Sequence, residues 1–233
     1  MSRNVLTATV LIPVHRAGWP FVGAALVLAF TLLFVGWGWA LLAALLALAI
    51  AFFFRDPERH TPHRQGLIVS PGDGRVVAVA PVVPPAELGL ADTPLTRVSI
   101  FLSIFDVHIN RAPVDGVVSC RIHTPGRFGN AGSVEGSEAN ERQAWLIAVD
   151  DGPPVVVVQI AGLIARRILG WVAVGARVRT GERIGMIRFG SRVDLYLPDG
   201  VAPLVAVGQR MIGGETVIAD VRANEPARPA VVR

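Results

Sequence analysis

A chain of 233 residues with 52% hydrophobic side chains and a mean hydropathy of +0.51 is too apolar for one ordinary soluble domain, and points to a membrane segment joined to a folded domain. All 22 basic residues are arginine and none is lysine, so no reaction here uses a lysine amine. The formal charge is only +4 and the arginines are dispersed, which argues against a nucleic-acid partner; the lone Cys120 excludes a disulfide framework and a cysteine metal centre, and fits a reducing compartment.

Residues 1–18 carry Arg3 and Arg16 and no acid, and form a short N-terminal segment expected in the cytoplasm. Trp19 to Phe54 then runs for 36 residues without a charge. As one helix this would be roughly 54 Å long, against a hydrocarbon core of roughly 30 Å. Gly36-Trp37-Gly38-Trp39 interrupts it, and glycine loosens a helix while tryptophan favours the membrane interface. The expectation is a membrane-inserted hairpin over 19–54, with legs at about 19–35 and 39–54. Arginines flank both ends, which by the positive-inside rule places both ends and the following domain on the cytoplasmic face of the cell membrane. One tilted span with an interfacial helix would place the domain on the other side. A cleaved signal peptide does not fit a segment of this length.

Residues 55–221 read as β-rich. Short Val/Ile runs recur at 67–70, 75–80, 97–104, 114–122, 145–149, 155–161, 171–174, 184–189, 193–197 and 216–221, punctuated by Gly, Pro and Asp. Only 136–144 hints at helix. The stretch Val174–Gly185, with glycines at 175, 181 and 185, resembles the hammerhead turns of lipoyl- and biotinyl-type barrel-sandwich domains. The fold class is therefore mainly β and barrel-sandwich-like, with few short helices and an N-terminal hydrophobic helical hairpin. Residues 222–233 are rich in Pro and Ala and read as a loose tail.

Three stretches hold candidate chemistry. Ser70-Pro71-Gly72-Asp73-Gly74 by itself is an Asp-Gly turn between strands. In Asp106-Val107-His108-Ile109-Asn110-Arg111-Ala112-Pro113, an extended chain would put Asp106, His108 and Asn110 on one face. Gly190-Ser191 opens the alternating strand 193–197, and by itself is turn punctuation. Together Asp, His and Ser are the ingredients of an activated hydroxyl, with the histidine taking the proton and the aspartate orienting it. Glu138, Asn140, Glu141 and Arg142 form a polar cluster that also suits a solvated helix start. His60 and His63 sit near the membrane exit, His123 reads as a strand residue, and no Cys/His spacing matches a zinc site.

These motifs, with Phe54-Arg55-Asp56-Pro57, Asn140-Glu141-Arg142 and Phe189-Gly190-Ser191, occur in an order that resembles the phosphatidylserine decarboxylase proenzymes in their short bacterial and archaeal form. The resemblance covers most of residues 50–221. It implies a self-processing enzyme in which the Ser191 hydroxyl attacks the Gly190 carbonyl. The chain splits into a β chain, 1–190, and an α chain, 191–233, whose first residue becomes a pyruvoyl group. That group forms a Schiff base with the substrate amine, and phosphatidylserine becomes phosphatidylethanolamine and CO2. By motif match Asp73 is the processing aspartate. Longer members carry two motif histidines; here the first is His108 and the second position holds Arg111, so His108 is assigned both processing and decarboxylation. Asp106, Asn110, Arg111, Asn140, Glu141 and Arg142 are expected to bind substrate or support the site. Phe189-Gly190-Ser191 departs from the Leu-Gly-Ser-Thr of many long members but keeps the Gly-Ser bond. The partners implied are a membrane phospholipid, the chain's own two pieces, and a second copy in a homodimer.

The residues agree with that chemistry. Loss of CO2 from an amino acid leaves a carbanion that needs an electron sink. Pyridoxal phosphate, the usual sink, is anchored by a lysine that this chain lacks; no metal is expected. His108 is a plausible proton donor to the carbanion. Arg55, Arg59 and Arg64 are expected to attract anionic headgroups. Two other readings use the same sequence. A membrane-anchored barrel-sandwich adaptor explains 174–189 but leaves Asp73, His108 and Ser191 without purpose, and a lipoyl or biotinyl carrier fails for want of lysine. A membrane serine hydrolase with Ser191, His108 and Asp73 would lack a Gly-x-Ser-x-Gly elbow and leave the chain intact.

Overall fold

The computed structural model describes residues 12–126, 139–150, 152–162, 167–188, 191–223, 225–228 and 231. The chain divides into two compact units, Met1–Glu58 and Arg59–Arg233.

The first unit is a helical hairpin of α1 (Trp19–Leu32) and α2 (Trp37–Phe53). Pro20 sits in the first turn of α1, where its missing N–H costs nothing. The legs meet through small side chains. Val22 and Ala25 of α1 and Ala40, Ala43 and Ala47 of α2 are buried, the last three at one-stripe spacing. The remaining surface is apolar and exposed, including Val27, Phe30, Phe34, Trp37, Leu42 and Leu48. At the base, His15 N donates to Phe54 O at 2.8 Å and Asp56 N to Pro13 O at 2.7 Å. A Cβ on Gly18 would lie 2.5 Å from Phe54 Cβ, so only glycine lets the chain pass there. The hairpin expected over 19–54 is present, but its legs are short. With 14 and 17 residues they reach about 21 and 26 Å, under the roughly 30 Å of a hydrocarbon core. Among the described residues, no helix is long and apolar enough to cross a membrane.

The second unit is mainly β, as the Val/Ile runs predict. Its strands are β1 (Leu67–Val69), β2 (Gly74–Val82), β3 (Leu95–Leu102), β4 (Ile109–Arg111), β5 (Gly116–Thr124), β6 (Arg142–Ala148), β7 (Val155–Ala161), β8 (Ile168–Gly170), β9 (Arg177–Val178), β10 (Arg183–Ile187), β11 (Ser191–Tyr196), β12 (Arg210–Met211) and β13 (Val217–Asp220). A curled eight-stranded sheet has the order β12-β2-β3-β11-β7-β6-β5-β9. A three-stranded sheet β4-β10-β8 and the pair β1-β13 complete the unit, and every pairing is antiparallel.

Alternation fixes the faces. Val193 and Leu195 of β11 join Ile100, Leu102, Trp145 and Val157 in the main core, which also takes Ile184 of the small sheet. Tyr196 lies on the reverse face with Val156, Val158, Ile160 and Leu88. Gly170 and Gly185 of the small sheet press on Gln143 and Gln159 of the large one, where a Cβ would come within 2.6 and 2.9 Å of their amide nitrogens. In the hammerhead-like stretch Gly175 and Gly181 take φ of 86° and 81°, and β9 pairs with β5. Three details differ from the sequence reading. Residues 171–174 are not strand, and the strand lies just before them at β8. Residues 142–144 belong to β6 rather than to a helix, while 136–138 lie outside the described residues. The strands β4, β9 and β12, two or three residues long, are too short to show a period.

Candidate active site

Leu102 at the end of β3, Ala161 at the end of β7 and Ser191 at the start of β11 are register neighbours. Ser191 therefore sits mid-sheet at one end of the domain, facing the core. It is fully buried, and its Oγ has no hydrogen-bond partner among the described residues. A buried hydroxyl left unpaired costs about 1–3 kcal/mol and asks for a reason. Phe189 and Gly190 lie outside the described residues.

The Ser70–Gly74 turn is buried beside this strand rather than exposed as a simple hairpin turn. Ser70 Oγ donates to Gly72 O at 2.7 Å. Pro71 O accepts from Arg111 N at 2.9 Å and from Asn110 Nδ2 at 3.4 Å. Gly72 is the crossing point of the three motifs: a Cβ there would lie 3.0 Å from Val193 Cγ1 and 3.1 Å from Asn110 Nδ2. Gly74 has φ of 144°, and a Cβ would fall 2.1 Å from Phe101 O. Asp73 is held by both carboxylate oxygens: Arg59 Nη2 donates to them at 2.8 and 2.7 Å, and Gly213 N donates to Oδ1 at 2.8 Å. Burial pushes the Asp73 carboxyl above its usual range, with Arg59 and the Gly213 amide opposing it.

The second motif is not extended throughout. Residues 104–106 turn, and Asp106 closes the turn by accepting from Ser103 N at 2.9 Å and Ser103 Oγ at 2.7 Å. Arg210 takes its other oxygen at 3.2 Å. The expected single face of Asp106, His108 and Asn110 is thus broken, because the Asp106 carboxylate caps its own turn. His108 is fully buried. Its Nδ1 lies 3.0 Å from Asp106 O. A carbonyl only accepts, so Nδ1 carries the proton and Nε2 is the basic nitrogen of the neutral ring. The orienter of His108 is this backbone carbonyl; the Asp73 carboxylate is committed to Arg59 and Gly213. His108 O accepts from Ile187 N at 3.2 Å, which ties the histidine to the end of β10, four positions before Ser191.

Asn110, fully buried, anchors the motif to the core. Trp145 Nε1 donates to Gln159 Oε1 at 2.8 Å, Gln143 Nε2 donates to the same oxygen at 2.9 Å, and Gln159 Nε2 donates to Asn110 Oδ1 at 2.8 Å. Arg111 is also buried and donates to Gly181 O at 2.8 Å, so it braces the hammerhead-like turn. Asn140 Nδ2 donates to Ala161 O at 2.8 Å, beside Ser191. Glu141 is bonded to His123 Nε2 at 3.0 Å. Arg142 points the other way, to Glu87 at 2.9 Å, and is not brought to Ser191. Glu138 lies outside the described residues. Arg59 and Arg64, expected to attract headgroups, bond instead to Asp73 and Asp220, and Arg55 packs over the Phe52 ring.

Residues 46–219 match the phosphatidylserine decarboxylase family. The chain belongs to that family. It is 50% identical over 230 residues to a phosphatidylserine decarboxylase proenzyme of Cereibacter sphaeroides, covering 98% of both chains. It is 55% identical over 220 residues to one of Granulibacter bethesdensis, covering 94% of this chain and 90% of the relative, and 50% identical over 233 residues to one of Paramagnetospirillum magneticum, covering 98% and 95%. The family match includes every motif residue just described.

Two residues bonded to the motif side chains, Gln159 and Arg59, had not been expected there. Gln159 sits in an otherwise all-apolar strand, Val155–Ala161, and a lone polar residue there was the available signal. Arg59 was read as a headgroup contact; a basic residue 14 positions before Asp73 gives no local sign of pairing. A smaller cleft of about 210 Å³, lined by residues such as Gly66, Val114 and Asp150, contains none of the motif residues. Among the described residues no group of three or more His, Cys, Asp or Glu is placed to hold a metal ion.

Proposed function

We propose that this chain is a self-processing, pyruvoyl-dependent phosphatidylserine decarboxylase that works at the membrane surface. The observation that carries the reading is the buried Ser191 Oγ, unpartnered at the first position of β11, in a family whose relatives here are named proenzymes. A buried hydroxyl without a hydrogen bond at the first position of β11 is available to attack the preceding carbonyl, and this position fits a group made from the serine itself.

Processing begins when Ser191 Oγ adds to the Gly190 carbonyl carbon and its proton passes to a base. The basic Nε2 of His108 supports that role. The C–N bond between 190 and 191 then breaks, giving an ester of Gly190 on Oγ. Removal of the residue-191 α-proton expels the Gly190 carboxylate and leaves a dehydroalanyl end. That end tautomerises to an imine, takes up one water and releases ammonia, leaving the pyruvoyl group. By motif match Asp73, held by Arg59 and Gly213 N, is the processing aspartate.

The two pieces are held together by the sheet. The α chain, 191–233, contributes β11, β12 and β13, which pair with β3 and β7, β2, and β1 of the β chain. A cut before β11 leaves it hydrogen-bonded on both sides. A pyruvoyl group supplies the electron sink for the carbanion that follows CO2 loss. Around it the chain's own residues exclude water, since Leu102, Ala161 and Ser191 are all fully buried, and His108 holds the proton that replaces CO2. The apolar hairpin, exposed on nearly every side, suits insertion into one leaflet rather than a crossing, with the domain on the cytoplasmic face. A homodimer, the arrangement that the family resemblance implies, is part of the same reading.

The test is CO2 release from carboxyl-labelled phosphatidylserine in detergent micelles. Wild type releases CO2 and Ser191→Ala does not. Equal release by both removes Ser191 from the reaction.

A further inference from the structure

A cleft of about 760 Å³ opens between β5, β6 and β8. It begins two strands from Ser191, because Ser191 pairs with Ala161 and Ala161 N donates to Glu141 O at 2.9 Å. At about 4.8 Å per strand, the Glu141 backbone is about 10 Å from Ser191. Among the described residues, the ionisable side chains lining the cleft are Arg121, His123, Glu141 and Arg167. The carboxylate is already engaged by His123 at 3.0 Å, and the two arginines outnumber it among the described residues.

Arg121 is held in place at both ends of its guanidinium. Its Nη1 donates to Val172 O at 2.8 Å, and its Cζ lies 5.5 Å from the Trp145 ring centroid. Arg167 is exposed and makes no side-chain hydrogen bond or ion pair among the described residues. Its carbonyl accepts from Arg188 N at 3.3 Å, so two arginines adjoin just before the Phe189-Gly190-Ser191 junction. Burial and the Arg167 charge both lower the Arg188 pKa. The exposed Arg167 guanidinium, beside a second arginine, is a site of positive potential that favours an anion.

We propose that Arg121 and Arg167 form an anion subsite that takes the phosphodiester of the lipid headgroup. This rests on the decarboxylase reading above. A headgroup whose amine lies at residue 191 carries its phosphate only a few bonds away, within reach of two long side chains that converge on the cleft. Guanidinium groups bind phosphate oxygens in pairs.

The experiment uses the processed full-length protein in micelles of neutral detergent, with CO2 release measured against phosphatidylserine mole fraction. Arg167→Gln and Arg121→Gln are expected to raise the apparent KM about 10- to 100-fold with kcat changed far less, as loss of a charged hydrogen bond predicts. Arg167→Lys recovers most of the loss. Inorganic phosphate competes with substrate in the wild type and competes more weakly in Arg167→Gln. An unchanged KM in both glutamine variants overturns the subsite while leaving the decarboxylase reading intact. A processed wild type that releases no CO2 overturns the decarboxylase reading, and the subsite with it.

Discussion

Gln159 Nε2 donates to Asn110 Oδ1 at 2.8 Å, and the direction of that bond is set by Trp145. An indole N–H only donates, so Gln159 must offer its oxygen to Trp145 and its nitrogen to Asn110. Asn110 in turn must present its nitrogen to Pro71 O. One obligate donor in the core thereby orients two amides and pins the turn that carries Asp73.

Gln159→Leu breaks this chain and takes the Gln159 partner from the Trp145 indole, the Gln143 amide and the Asn110 oxygen, all buried. The expected loss is at least about 3 kcal/mol of stability, since each orphaned buried group costs about 1–3 kcal/mol. Self-cleavage slows as well. Denaturant unfolding in detergent and the fraction cleaved over time read the two effects. A variant of wild-type stability and rate shows that the chain does not position the turn.

Asp73 predicts a pH dependence. Burial, the largest cause, raises its folded-state pKa above the ordinary carboxylate value of 3.8. The native state therefore binds this proton more readily than the unfolded chain. Any stability from the protonated form is present at low pH and is lost as pH rises from 3.8 through the raised value. On the proposed role of Asp73 in its charged form, processing slows as pH falls through that same raised value. Arg59→Gln removes the chief opposing charge, so the acid limb of cleavage moves to higher pH. An acid limb that stays put in Arg59→Gln separates it from Asp73.

Asp194 sits on the reverse face of β11 between two buried arginines. Arg192 Nε lies 2.9 Å from Oδ1 and Arg97 Nε 3.9 Å from Oδ2. Removing the carboxylate leaves like charges facing one another away from water. Asp194→Ala is expected to cost about 3–5 kcal/mol, read by thermal or denaturant unfolding. A loss below about 1 kcal/mol, the range of surface pairs, contradicts a buried bridge.

Gly74→Ala forces a methyl to 2.1 Å from the Phe101 carbonyl at a φ of 144°. Strain of this backbone type costs about 1–3 kcal/mol before the clash is added. The variant is expected to unfold at lower temperature and to remain uncleaved. Gly72→Ala meets neighbours at 3.0 and 3.1 Å and should be milder. The reverse ranking would misplace the turn.

The long strands and the hairpin were legible because their periods are long enough to repeat: β2, β3, β5, β7 and β11 each announce themselves in Val/Ile runs. The motif order also pointed to the right family. What was not legible is where polar side chains turn. Asp106 looked like a partner of His108 in an extended chain, yet it caps a turn at Ser103. Arg59 looked like a membrane contact, yet it neutralises Asp73 across 14 positions. Gln159 had no sequence neighbour to betray it. Such pairings depend on tertiary register, which local pattern does not carry.

The central claim is that the chain cuts itself before Ser191, and intact-mass measurement of the purified protein tests it most directly. The account predicts two species. The smaller begins at residue 191 and is lighter by one ammonia than a serine-headed peptide, while Ser191→Ala gives one full-length mass. A single full-length wild-type mass, persisting after incubation in lipid or detergent at neutral pH, would contradict it and leave Ser191 as the first residue of an ordinary strand.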